Sequence, residues 1–115
     1  MSDANSNMII VEKYEKLINY LYPILQSIPR THGVAKNLAI NDLLIAPSMM
    51  MIAGKTGQVS KLYVIDAQLA TVRYWMRFLV VRRCLTSHQQ QTAQALMSEV
   101  GAILGAWIAS KKKQG

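Results

Sequence analysis

Apolar positions recur every three or four residues almost from end to end of this chain, the period of an α-helix with one covered face. Over residues 8–28 they fall at Ile10, Tyr14, Leu17, Leu21, Ile24 and Ile28, which predicts a first helix. Pro23 stands inside it and should kink it, because proline lacks a backbone donor. Pro29 ends it. Glu12 precedes Lys16 by one turn, the favourable order for a surface ion pair. A second helix starts near Thr31 and should stop near Gly54, with a bend at Pro47. Its LLIAPSMMM segment is apolar nearly all round, so this helix should be covered on more than one side. Lys55-Thr56-Gly57 reads as a turn, with Thr56 or Ser60 as a helix cap.

A third helix follows over residues 58–85. Ser87 with Gln90 three later is a capping-box pattern and opens a fourth. The stripe of that helix is Leu96/Met97, Val100, Ile103/Leu104 and Trp107/Ile108. Gly101 and Gly105, extended by Ala106 and Ala109, mark close helix packing. Lys111, Lys112 and Lys113 suit the negative end of the helix, after which the chain frays. Helices of about 20–28 residues with short connections predict an all-α, antiparallel up-down-up-down four-helix bundle. It should occupy residues 8–110, between a disordered N-terminus (1–7) and a basic C-terminal tail (111–115).

The third helix breaks the simple pattern. VRYWMRFLVVRR, residues 72–83, sets four arginines in one of the most apolar runs of the chain, and arginine is almost never fully buried unless paired. On a helical wheel, Leu62, Ile65, Leu69, Val72, Met76, Leu79 and Val80 share one side. Tyr63, Val64, Ala67, Tyr74, Trp75, Phe78 and Val81 share another. A monomeric bundle needs only one apolar face. The second, with Tyr74, Trp75 and Phe78, resembles a subunit interface, so self-association into a homo-oligomer is expected. Two polar strips divide the faces. Asp66, Arg73 and Arg77 lie within about 40° of one another; Lys61 and Gln68 form the other strip. Asp66 can neutralise only one of the two arginines. The other meets an internal carboxylate such as Asp42 or Glu99, or an anion from outside, to which a planar guanidinium is suited.

Charge favours an outside anion. Residues 1–54 balance Lys13, Lys16, Arg30 and Lys36 against Asp3, Glu12, Glu15 and Asp42, and residues 55–115 hold the entire net charge of +7. An excess confined to one half points to a polyanion surface. Its candidate residues are Arg73, Arg77, Arg82, Arg83, Lys61, Lys111, Lys112 and Lys113. Tyr63, Tyr74 and Trp75 at helical spacing read as core or interface, so phosphate contacts with little base readout are expected.

The remaining chemistry is sparse. At 51% apolar and 17% charged the composition is globular. The longest uncharged apolar run, residues 43–53, is well short of the roughly 20 residues that cross a bilayer. MSDANSNM lacks the basic and apolar regions of a signal peptide. Cys84 alone cannot form an internal disulfide and reads as a small core residue in a reducing, cytoplasmic compartment. Asp42, Asp66 and Glu99 are isolated from one another. Cys84 and His88 straddle a helix start, and His32 and His88 lack ligand-spaced partners. No catalytic residue, metal, cofactor, membrane or small-molecule substrate is expected.

Three segments carry a family resemblance: IIVEKYEKLINYLYPILQSIPRTHGVAKN, AGKTGQVSKLYVIDAQLATVRYWMRFLV and TSHQQQTAQALMSEVGAILGAWIAS. They resemble the accessory variability determinant (Avd) of diversity-generating retroelements, itself similar to the four-helix proteins of ribosomal RNA intervening sequences. The most specific pieces are YLYPILQSIPRTHGV, VSKLY, the paired arginines of VRYWMRFL, and EVGAILGAWIA. The resemblance implies a bacterial or phage-encoded four-helix bundle assembled as a basic, barrel-like homopentamer. It implies binding to a reverse transcriptase and to template RNA and cDNA, in support of mutagenic reverse transcription and retrohoming. Arg73 and Arg77 align with the family's paired arginines, implicated in binding polymerase and nucleic acid. The family often has an arginine after the helix-4 glycine, where this chain has Ala102. The alternative is a generic RNA- or ribosome-associated bundle without a polymerase partner.

Overall fold

The computed structural model describes residues 3–114, with side chains from 9 to 113. It contains helices α1 (Asp3–Gln26), α2 (Gly33–Thr56), α3 (Val59–Val81) and α4 (Ser87–Gln114), with a single 3-10 turn at Arg30–His32. α1 and α3 each pack on α2 and α4, and neither diagonal pair is in contact among the described residues. The helices thus stand at the corners of a square, in a bundle of 48 × 23 × 19 Å. Tyr63 near the start of α3 meets Lys112 near the end of α4, as antiparallel neighbours must.

The helical period locates the core. Ile10, Tyr14, Leu17, Leu21, Leu25 and Ile28 are buried from the first segment; beyond Pro23 the stripe runs through Leu25, and Ile24 is only half-buried. α4 buries Ala93, Met97, Val100, Leu104 and Trp107. The expected Glu12–Lys16 pair does not form; Lys13 reaches Glu99 of α4 instead, at 3.7 Å. α1 starts at Asp3, so residues 3–7 of the expected disordered terminus are helical, while Met1, Ser2 and Gly115 lie outside the described residues. At the other end Lys111–Lys113 belong to the last turn of α4, so the helix runs past the expected bound at residue 110.

Helix ends are closed by specific groups. The Lys36 ammonium donates to the carbonyls of Gln26 (2.8 Å) and Ile28 (3.3 Å), so it caps the end of α1 from the first turns of α2. α2 runs on to Thr56, two residues past Gly54, and stops where Gly57 takes φ 68°, a left-handed conformation that glycine adopts without steric cost. Neither Thr56 nor Ser60 caps α3; Gln58 holds that position without a side-chain bond.

α3 ends at Val81, short of Leu85, in a Schellman turn. Cys84 N–H bonds Leu79 O (2.8 Å) and Arg83 N–H bonds Val80 O (2.9 Å), with Arg83 at φ 61°. The capping box of α4 lies one residue earlier than Ser87/Gln90. Thr86 N–H donates to Gln89 Oε1 (2.9 Å), and Gln89 N–H donates to Thr86 Oγ1 (3.0 Å).

α2 is the apolar outlier. The uncharged run 43–53 is too short for a bilayer, but the helical stretch Arg30–Thr56 passes that test by length and composition alone, with mean hydropathy 1.3. Ala39, Leu43, Ala46, Met50 and Ala53 are its buried residues. Pro47 leaves the Leu43 carbonyl without its donor four residues on. The Tyr14 hydroxyl, fully buried, donates to that oxygen at 2.6 Å. Burial, and secondarily the Asp42 carboxylate, raise the Tyr14 pKa well above the usual phenol range, so the donor proton is held.

Candidate nucleic-acid and partner interface

α3 lies between α2 and α4 and carries most of the candidate residues. Its core face is the expected one: Leu62, Ile65, Leu69, Val72, Met76 and Leu79 are buried, and Val80 is half-buried. The second face divides. Trp75 and Phe78 are half-buried and packed on the core. The Trp75 indole N–H donates to Asp42 Oδ2 at 2.6 Å, and the Gln68 amide donates to Asp42 O and Oδ1 at 2.9 and 3.3 Å. Gln68 and Trp75 are two helical turns apart and point the same way, so one carboxylate on α2 serves both. Tyr74 stacks edge-on against Trp75 with ring centroids 5.3 Å apart and remains 49% exposed.

Two of the three carboxylates expected as partners of the arginines are engaged by other groups. Asp42 holds Trp75 and Gln68, Glu99 holds Lys13, and Asp66 is exposed. Neither Arg73 nor Arg77 forms an ion pair with a described residue. Arg73 is half-buried and leans on α4, its Nη2 3.4 Å from where a Cβ on Gly101 would stand. Gly101 therefore makes room for a guanidinium and not for a neighbouring helix backbone. Gly105 has nothing within 4 Å of such a Cβ, and Ala106 and Ala109 are exposed, so beyond Gly101 the small strip takes up no neighbour among the described residues. Arg77, one turn beyond Arg73, is exposed. A partly buried guanidinium one helical turn from an exposed one, neither ion-paired to a described residue, can take up a phosphate or carboxylate bidentately.

The other basic candidates gather at the two ends of α3. At its start, Lys61 is exposed and the Lys112 ammonium stands 5.7 Å from the Tyr63 ring centroid. Its interaction with Tyr63 shifts the Lys112 pKa upward. Lys113 is exposed and Lys111 half-buried on the same final turn of α4. At the end of α3, Arg83 is exposed in its left-handed conformation. Arg82 lies over the Phe78 ring at 3.5 Å and donates to Phe78 O at 3.3 Å. Arg30, not among the sequence candidates, joins Arg82 there in the wall of a groove. Its signal was weak, a single arginine after Pro29, and only the packing of α2 on α3 brings it to the site.

Exposed apolar surface is unevenly placed. Every large hydrophobic side chain found exposed among the described residues lies on α2 or α3. Leu44, Ile45, Met51 and Ile52 of α2, with Val59, Tyr63 and Val64 of α3, make up most of it. Contrary to the expectation that α2 is covered on more than one side, its outer face is bare within the subunit.

Residues 8–111 match the family model described as bAvd-like. No curated protein matches the chain.

Proposed function

The chain belongs to the bAvd-like family, and from that premise we propose that it is a non-enzymatic accessory subunit of a diversity-generating retroelement. In this reading it binds the reverse transcriptase and nucleic acid, template RNA and cDNA, and supports mutagenic retrohoming. It acts as a homo-oligomer, a pentamer by family resemblance, through the bare apolar face of α2 and α3, to which Tyr74 contributes. The observation that carries the proposal is the pair Arg73 and Arg77, two adjacent guanidiniums without an ion pair to any described residue. Further cations stand at both ends of α3, and the net charge of +7 favours a polyanion as the partner.

The test is the salt dependence of RNA binding. Each phosphate contact to a single strand contributes a slope of about 0.7 in log K against log salt. Arg73→Ala with Arg77→Ala should lower that slope by about 1.4. Between 50 and 200 mM salt the double variant should then lose about sevenfold less affinity than the unaltered protein. Its thermal stability should change by less than about 1 kcal/mol, because no ion pair is broken. An unfolded double variant, or an unchanged slope, would refute the assignment. RNA binding without capture of the co-encoded polymerase would favour the generic RNA-associated bundle.

A further inference from the structure

Where α2 starts and α3 finishes, a groove of about 600 Å³ opens between the two helices. Arg30, Asn37 and Leu38 line one side of it, and Trp75, Phe78 and Arg82 the other, with no carboxylate among the described residues of its walls. Trp75 and Phe78 meet edge to face, centroids 5.4 Å apart. The Arg82 guanidinium is stacked over Phe78 and tied back by its bond to the Phe78 carbonyl. The indole thus meets the phenyl ring at a steep angle, and the guanidinium of the exposed Arg82 covers the Phe78 ring.

We propose that this groove holds an unstacked base of a single-stranded nucleic acid. The base lies on the Arg82 plane, Asn37 meets its polar edge, and Arg30 meets the adjoining phosphate. The inference rests on the nucleic-acid reading above and narrows it to one place and one strand state. The volume lies in the range of small-ligand sites, roughly 300–1,000 Å³, which suits a nucleotide and not a duplex. A base inside a duplex has both faces covered, whereas a single strand offers them to aromatic and guanidinium planes. A carboxylate-bearing peptide would need only the two charges and would leave the stacked layer unused. This site adds a base contact to a surface otherwise expected to read phosphates alone.

Trp75 provides the readout, since the second tryptophan, Trp107, is buried in the core at 3% exposure. A short single-stranded RNA should quench tryptophan emission saturably, and the quenching should vanish in Trp75→Phe. Arg82→Lys keeps the charge of this exposed residue and loses its plane, so it should weaken single-strand binding about tenfold. A labelled strand that binds while Trp75 emission stays constant would overturn the groove and leave the Arg73/Arg77 surface standing. So would wild-type affinity in Arg82→Lys. Quenching by an acidic peptide and not by RNA would overturn it in favour of a protein segment. No binding of RNA at all would overturn both readings.

Discussion

Replacing Tyr14 with phenylalanine should open a gap in α2 that exists only because residue 47 is proline. An interior helical carbonyl normally accepts from the N–H four residues on. Leu43 O has no such donor, because Pro47 has no N–H. The Tyr14 hydroxyl supplies one at 2.6 Å, and both residues are fully buried, so water cannot take its place. Removing the hydroxyl leaves a buried acceptor unsatisfied, at a cost of about 1–3 kcal/mol. Unfolding entropy scales with length, and for this size each kcal/mol moves the midpoint by about 4 °C. Tyr14→Phe should therefore lower the melting temperature by about 4–12 °C, followed by circular dichroism at one fixed protein concentration. The decisive comparison is the same substitution made in Pro47→Ala. There the new N–H at position 47 can bond Leu43 O, and most of the cost of losing the hydroxyl should disappear, giving a coupling of about 1–2 kcal/mol. If Tyr14→Phe is equally costly with alanine at 47, the hydroxyl is not filling the proline gap and the reasoning fails.

Tyr14 also sets an alkaline limit. Its pKa is raised in the folded chain, so its contribution is fully present below the unfolded value of about 10 and is lost as pH rises beyond it. Urea midpoints should fall above about pH 10, with a slope approaching 1.4 kcal/mol per pH unit, and Tyr14→Phe should lack that part of the loss. Arg83 sits at φ 61° in the turn that ends α3. Arg83→Gly should stabilise the chain by about 1 kcal/mol by removing the left-handed penalty, and a lower melting temperature would mean that the arginine side chain holds the turn.

Much of the fold is legible in the sequence because burial in a helix bundle is a one-dimensional pattern. Leu62, Ile65, Leu69, Val72, Met76 and Leu79 read as one face on a wheel and are buried as one face. Cap positions are less legible. Thr86-Ser87 followed by Gln89-Gln90 fits the box in either frame, and only the backbone path out of the Schellman turn selects Thr86 with Gln89. The small strip on α4 misled for a related reason. A glycine in a helix signals room for something close, but not what: Gly101 admits the Arg73 guanidinium, and Gly105 admits nothing.

The candidate interface divides along the same line. By itself the sequence determined four amphipathic helices, a third helix with too much apolar surface for one core, and a positive charge carried wholly by the second half of the chain. These follow from residue order alone, since period and composition do not depend on how helices meet. Only the tertiary structure decided which cations stay without a carboxylate. That depends on the rotation and stagger of each helix against its neighbours, which give Asp42 to Trp75 and Gln68, Glu99 to Lys13, and the notch at Gly101 to Arg73.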